Sequence, residues 1–354
     1  MSLERAFLHE IREHPEDPAP RLIFADWLEE HEDPRGVFLR DLTPFEERYE
    51  LRERLWTFGM SQGYRAMDRR TQRLVTMDMG LGCTWSHPDQ LWKEATISVR
   101  CRHPHLLPLL DFGFDNAGCI FLVRPAIEGE HLSTRLPRWN EGLSSETFWA
   151  TLPRLVHALS AACAAVACAH EHGFIHRSLG PPAIFLGSRK EEVFVVAWDC
   201  AASADCPAEE GLLVGRPAYI APEQVQSPET VTPSADVWGL GGILYVLLFG
   251  RPPNVPSGTQ ESTLEIIRCA VEPKTRGVLR PGLLPDRAVQ LSSSGFFARL
   301  FGAARLGTPL PIQALEDICL RALEIEPSRR QPSMAALAAE LDGWLARYGD
   351  PLPE

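Results

Sequence analysis

Residues 174–186 read FIHRSLGPPAIFL. An apolar pair precedes His176-Arg177; Gly180, Pro181 and Pro182 then make a turn, and a second apolar run extends from Ala183 to Leu186. Gly and Pro punctuate regular structure, so the stretch reads as a loop between two apolar segments. Immediately upstream, ALSAACAAVACAHEHG (158–173) is dominated by alanine, the strongest helix former, and Gly173 stands where such a helix is closed. Downstream, VFVVAWDCAAS (193–203) carries an apolar strand into Ala197-Trp198-Asp199. Further on, SADVWGLGGILYVLLFG (234–250) is apolar on nearly every side, which predicts a buried helix with Asp236 near its start.

The 354 residues exceed a typical single domain and leave room for one large domain plus an extra piece. A hydrophobic content of 45% is that of a globular chain with a real core. No stretch reads as the roughly 20 apolar residues that cross a bilayer. The start, MSLERAFLHEIREHPEDPAP, is charged from its fourth residue and does not read as a signal peptide, so a cytoplasmic location is expected. A net charge of −12 argues against DNA or RNA as a partner, because phosphate contacts need a basic face. None of the nine cysteines forms a C-x-x-C pair, and Cys163 and Cys168 fall in the alanine-rich helix, so reduced thiols are expected. Only three lysines are present: Lys93, Lys190 and Lys274.

Residues 1–42 read as a small helical module. Leu3, Phe7 and Ile11 recur every four residues, HPEDPAP breaks that helix, and RLIFADWLEEHED supplies a second with Leu22, Ala25 and Leu28 on one stripe. The run RAFLHEIREHPEDPAPRLIFADWLEEHEDPRGVFLR resembles the short repeat-companion domain of some bacterial proteins. Two readings stay open: a hairpin that packs on the next domain, or a docking module for a partner.

From about Arg48 to Arg347 the order of elements resembles a bacterial Ser/Thr protein kinase. RYELRERL and YRAMDRRTQRLVTMDM look like the opening strands, and LWKEATISVRCRHPHLLPLL like the helix that carries the kinase glutamate, here Glu94. CIFLVRPAIEGEHL is similar to the strand and hinge between lobes, 174–186 to the catalytic loop, and 234–250 to the central large-lobe helix. CLRALEIEPSRRQPSMAALAAELDGWL resembles the closing helices, and GRPAYIAPE the end of the activation segment. The resemblance implies an α+β, two-lobed protein-kinase-like fold over 48–347, preceded by the 1–42 module. The small lobe would cover about 48–125 and the large lobe about 126–347. It further implies structural roles for His176 beneath the loop, for Asp236, and for Glu223 paired with Arg330. Arg177 would hold an anion, for which Glu209 or Glu210 could serve.

The family's chemistry is mostly positioning and charge neutralisation around a transferring phosphoryl group. In RLWTFGMSQGYRA, Trp56, Phe58 and Ser61 fall on the three glycine positions of the nucleotide loop, while Gly59 and Gly63 stand at other spacings. The two rings obstruct backbone approach to phosphate and could fold into the adenine cleft instead. Asp78 takes the strand-lysine position, and no lysine occurs from residue 1 to 92. Arg65 or Arg73 could substitute, although a planar fork is not a point charge. Asp78 would then face Glu94 with no protein cation between them. Each such negative charge about 6 Å from a phosphate costs roughly 3 kcal/mol at an effective dielectric near 20. Asp111-Phe112-Gly113 spells the metal-binding triplet, but it precedes the hinge and is a decoy. The proper place is Ala197-Trp198-Asp199, where Ala197 lacks the carboxylate; a slipped register would use Asp199 as the metal ligand. In the catalytic loop Ser178 stands for the aspartate and is a poor base, Gly180 for the lysine, and Ala183 for the metal-binding asparagine.

These losses together lead to the expectation of a catalytically inactive kinase-like protein, a pseudokinase. ATP and Mg²⁺ are expected to bind weakly or not at all. Such a protein would act as scaffold, adaptor or allosteric regulator through a protein partner, with an active kinase among the candidates. The alternative is an atypical active Ser/Thr kinase, or another nucleotide-dependent transferase, using Asp199 and an unconventional cation. A third reading makes residues 1–42 the targeting element and the rest a spacer. H-E-x-x-H and Walker A patterns are absent from the sequence, and the histidines at 103, 105, 170, 172 and 176 lack a further zinc ligand set. In LSSSGFFARLFGAARLG (291–307), Phe297, Leu300, Phe301 and Ala304 share one helical face. That face would pack on the large lobe, or enter a partner groove or membrane surface.

Overall fold

A computed structural model describes residues 3–58, 61–80, 88–140, 145–189, 192–203, 213–254, 263–271 and 310–349. Gly59, Glu209, Glu210 and the 291–307 segment lie outside them. The chain divides into two compact units, Met1–Glu128 and Gly129–Glu354.

The first unit opens with helices α1 (Leu3–Glu13) and α2 (Pro18–Glu30). Asp17 caps α2 by accepting from the Ala19 N–H at 2.9 Å, and Pro18 sits at the first helical position, where its missing N–H costs nothing. Short helices α3 (Gly36–Leu39) and α4 (Phe45–Arg48) lead into strands β1 (Tyr49–Phe58), β2 (Ser61–Asp68) and β3 (Arg73–Gly80). Helix α5 (Pro88–Arg100), β4 (Asp111–Phe114) and β5 (Ile120–Pro125) complete the unit. The antiparallel sheet has the order β1-β2-β3-β5-β4.

Successive strand residues alternate faces, so the sheet sorts its side chains in two sets. Val75, Met77 and Val123 are buried on one face against Phe45 and Tyr49. Leu122 goes to the other face, where it shares a core with Leu91, Trp92 and Ala95 of α5. Leu8, Ile11, Phe24, Ala25, Leu28 and Leu39 belong to that same core. Residues of α1, α2 and α3 thus share one hydrophobic interior with the sheet and α5, as the first of the two open readings, a hairpin packed on the next domain, expects.

The second unit contains β6 (Gly129–His131), α6 (Leu132–Asn140), α7 (Ser145–Glu171), β7 (Ile184–Gly187) and β8 (Val193–Val195). Helices α8 (Pro222–Gln226), α9 (Ser234–Phe249), α10 (Thr263–Val271), α11 (Leu310–Ala322) and α12 (Met334–Tyr348) come after them. The small antiparallel sheet runs β6-β7-β8. Helix α12 lies along α7 and α11 along α9. Every residue of α9 from Ala235 to Phe249 is buried, as an all-round apolar helix requires. Gly241 makes the close contact with α11: a β-carbon there would stand 2.6 Å from that of Ala322. Gly173, at φ +79°, turns the chain out of α7, where the Phe174 N–H reaches the Ala169 carbonyl at 2.9 Å.

One expectation needs correcting. Within α7, Thr151–Glu171 is long and apolar enough to cross a bilayer by length and composition. It is 67% buried inside the fold, the environment of a core helix.

Candidate functional site

Asp78, expected on the strand-lysine position, belongs to an ion triad. Asp78 pairs across the sheet with Gly63 on one side and Leu122 on the other, and Thr76 pairs with Arg124. Period-two alternation therefore puts Asp78 and Arg124 on the same face, the face that α5 covers. Arg124 Nη1 donates to Asp78 Oδ2, and its Nη2 donates to Glu94 Oε2 at 2.5 Å. Asp78 and Glu94 are buried, and the Arg124 side chain is 12% exposed. The expectation of two carboxylates with no cation between them is overturned: β5 supplies a guanidinium. Neither of the expected substitutes does so. Arg65 lies 3.9 Å from Glu53, and Arg73 is exposed at the start of β3.

Two carboxylates and one guanidinium leave the triad one negative charge in excess. Burial pushes the Asp78 carboxyl up, Arg124 opposes the shift, and Glu94 adds to it. Burial also disfavours the Arg124 charge, but Glu94 and Asp78 outweigh it and hold the guanidinium protonated.

Trp56 of β1 pairs with Gly63 of β2, and its ring lies flat over the glycine; a β-carbon on Gly63 would stand 1.9 Å from Trp56 Cε2. The Trp56 ring thus seats against its own hairpin. It remains 39% exposed. Phe58 pairs with Ser61 at the hairpin tip. The Asp111 of the decoy triplet sits in β4, where the Tyr49 hydroxyl donates to it at 2.6 Å and Arg48 Nη1 lies 2.8 Å away. It is a structural carboxylate of the first unit.

In the second unit, Asp236 shapes the loop after α7. Its carboxylate accepts from the backbone N–H groups of His176 and Arg177, both at 2.8 Å, and His170 Nε2 lies 2.8 Å away. This grip holds Arg177 in the left-handed region at φ +62°. The His176 ring packs tilted against Trp198, with centroids 4.4 Å apart and planes at 48°. Its Nε2 donates to the Val196 carbonyl at 3.1 Å, and its Nδ1 accepts from the Ser178 N–H at 3.3 Å. Burial pushes the imidazole down, so His176 is neutral, with the tautomer those two bonds define.

Strand β8 pairs Val195 with Ile184, and the chain turns at Ala197, left-handed at φ +62°, into a 3₁₀ turn over Trp198–Cys200. Asp199 lies in that turn and accepts from Cys200 Sγ at 3.4 Å. Burial, with Asp199 beside it, pushes the Cys200 thiol up to about 12, so it is a protonated donor. Ala183 is fully buried in the turn Pro181–Ala183.

Gly180 is overlaid by another cation. A β-carbon there would stand 2.9 Å from Arg216 Cδ and 3.2 Å from the Tyr219 ring, and Arg216 Nε donates to the Ser178 carbonyl at 3.2 Å. Arg216 therefore brings a guanidinium to the loop that Gly180 leaves without one. Its signal in the sequence was a basic residue within GRPAYIAPE; Arg124 was a lone charge in the apolar strand CIFLVRP. Both were passed over because linear spacing does not show which strand face or loop meets which.

Arg330 makes a two-pronged contact with Glu223, Nη1 to Oε1 at 2.5 Å and Nη2 to Oε2 at 2.8 Å. It also donates to the carbonyls of Ser234 and Glu324 and lies 5.0 Å from the Trp238 ring centroid. Among the described residues no three His, Cys, Asp or Glu side chains converge as a metal-ligand set.

Comparison with known proteins places the chain. Residues 57–338 match the protein kinase domain family. Serine/threonine-protein kinase PknA of Mycobacterium tuberculosis is 25% identical over 280 residues, 75% of this chain and 63% of that protein. Serine/threonine-protein kinase pkn3 of Myxococcus xanthus is 28% identical over 261 residues, 70% of this chain and 40% of its own length. Calcium-dependent protein kinase 8 of Arabidopsis thaliana is 29% identical over 205 residues, 54% and 36% of the two chains. The chain spans less than two thirds of the length of each of these relatives. With well over half its residues matched and an α+β architecture in two units, the chain belongs to the protein kinase domain family.

Proposed function

We propose that this chain is a kinase-fold protein that does not transfer phosphate and acts in the cytoplasm by binding another protein. It would serve as a scaffold, adaptor or allosteric regulator, with an active kinase among the candidate partners. The observation that carries this reading is the commitment of Arg124. Each of its terminal nitrogens donates to a buried carboxylate, Asp78 or Glu94, so its charge goes to neutralising the triad instead of standing free for a phosphate.

The residues present do not fit ATP with Mg²⁺. Ala183 and Ala197 offer no side-chain oxygen to a metal, Ser178 no base, and the Asp78 seat carries excess negative charge. Thermal unfolding with and without ATP and Mg²⁺ tests this reading. A ligand at about 100 times its Kd adds about 2.7 kcal/mol to stability, whereas no shift in melting temperature is expected here. Phosphate incorporation into protein that requires Mg²⁺ and disappears in Asp199→Ala would overturn it.

Arg216 favours a second reading, an atypical transferase. Its guanidinium lies at the loop where Gly180 supplies no cation, which is the unconventional charge such an enzyme would need. On that reading Arg216→Ala abolishes nucleotide-dependent stabilisation; on the first there is none to abolish.

A further inference from the structure

We infer that residues 3–42 are a built-in brace for helix α5, and that Arg35 is the positioning residue through which they hold Glu94 in the ion triad. The segment lies outside the residues matched by the family, 57–338, so the brace is an addition to the kinase fold.

Helix α5 presents two faces. Trp92, Thr96 and Arg100 stand at i, i+4 and i+8 and form one stripe. Glu94, two residues from Trp92, points about 200° around the axis from it, towards the sheet. Arg35 receives the stripe. Its side chain is only 2% exposed, and its guanidinium carbon lies 3.9 Å from the Trp92 ring centroid. Nη1 donates to Thr96 Oγ1 at 2.6 Å and Nη2 to Glu4 Oε1 at 2.9 Å. Nε and Nη2 fork onto the two oxygens of Asp33 at 2.9 and 2.7 Å.

The partners of Arg35 are themselves tied to α5. Trp92 Nε1 donates to Glu4 Oε2 at 3.2 Å, Arg100 Nη2 reaches Asp33 Oδ2 at 3.4 Å, and Phe24 stacks on Trp92 at 5.1 Å. Burial would raise the Asp33 carboxyl, but the Arg35 hydrogen bonds outweigh it, so the anion persists beneath the helix. One planar fork thus binds α1, the turn after α2 and α5 at once, a geometry that a lysine ammonium does not reproduce. On its far side α5 meets β3 and β5, where Glu94 bonds Arg124. The helix is held from both sides, and its position sets whether Glu94 reaches the guanidinium.

The inference does not depend on whether the protein transfers phosphate, because its test reads stability and not activity. Arg35 and Arg124 share no hydrogen-bond partner. If each acts alone, the effects of Arg35→Lys and Arg124→Met on the unfolding equilibrium constant multiply, agreeing to within about twofold for independent sites. If Arg35 positions Glu94, releasing the helix already loosens the triad, and Arg124→Met then costs less. The double variant is expected to be at least about threefold less unfolded than the product predicts, measured by urea titration at equilibrium. Agreement with the product to within that margin overturns the inference. Should Arg35→Lys fail to fold, Thr96→Val, which removes one hydrogen bond to the fork, enters the same cycle with the same two outcomes.

Discussion

At Arg124 a single guanidinium bridges two buried carboxylates, Asp78 and Glu94. The two buried carboxylates depend on the cation between them, since removing it leaves two like charges desolvated side by side. Arg124→Met is therefore expected to lower unfolding stability by about 3–5 kcal/mol, the range for breaking a buried pair from one side. Urea titration gives the value, and a loss below about 1 kcal/mol would mean that the triad is solvated. The pH dependence has a definite sign. The folded Asp78 carboxyl titrates above its unfolded value because burial and Glu94 oppose its charge. Its contribution is fully present below the unfolded carboxylate range and is lost as pH rises through the raised folded value. Asp78→Asn carries no charge at any pH, so the stability of the native protein relative to this variant should fall between about pH 4 and pH 7. A flat or rising difference contradicts the assignment. At this scale residue identity was legible and partnership was not. Asp78 and Glu94 announce a surplus of negative charge, but the arginine that answers it lies on the neighbouring strand, 46 residues along the chain from Asp78.

Among the elements, the hairpin of β1 and β2 and the central helix α9 show how far pattern alone reaches. Helix α9 was legible end to end, because an apolar run without a polar face has no place except an interior. The segments of β1 and β2 were legible as opening strands, but the destination of Trp56 was not, since alternation assigns a face and says nothing of what the ring finds there. The ring found Gly63. A bulkier residue at 63 should evict it: Gly63→Val is expected to cost about 1–3 kcal/mol, as overpacking does, with the ring driven into solvent. Trp56→Gly combined with Gly63→Val should recover part of that loss, because the new side chain takes the ring's seat. Additive losses in thermal unfolding of the two single variants and the double would show that the ring does not depend on Gly63. Inside α9, Gly241→Val should be worse tolerated, since the opposing atom is the β-carbon of Ala322 on a packed helix and not the end of a mobile ring.

Taken over the whole chain, the scaffold of the second unit and the charges of the first obey different logics. Asp236 and His176 keep the loop's shape through backbone and ring contacts that need no substrate, whereas alanine, serine, glycine and aspartate stand at the positions that the family resemblance assigns to phosphate and metal contacts. The fold class was legible because apolar periodicity and turn residues record packing. The Glu223–Arg330 pair carries the same logic across 107 residues of sequence. Arg330 is fully buried, and beyond Glu223 it satisfies carbonyls at both the start of α9 and the turn after α11. Arg330→Met should therefore cost about 3–5 kcal/mol, because Glu223 is left as an unpaired anion and the carbonyls lose their donor. Converting both partners, Glu223→Gln with Arg330→Met, removes the stranded charge but not the unmet carbonyls. It should recover part of the loss and no more. Full recovery in equilibrium unfolding would show that the carboxylate alone held the arginine in place, and no recovery would show that the carbonyls did.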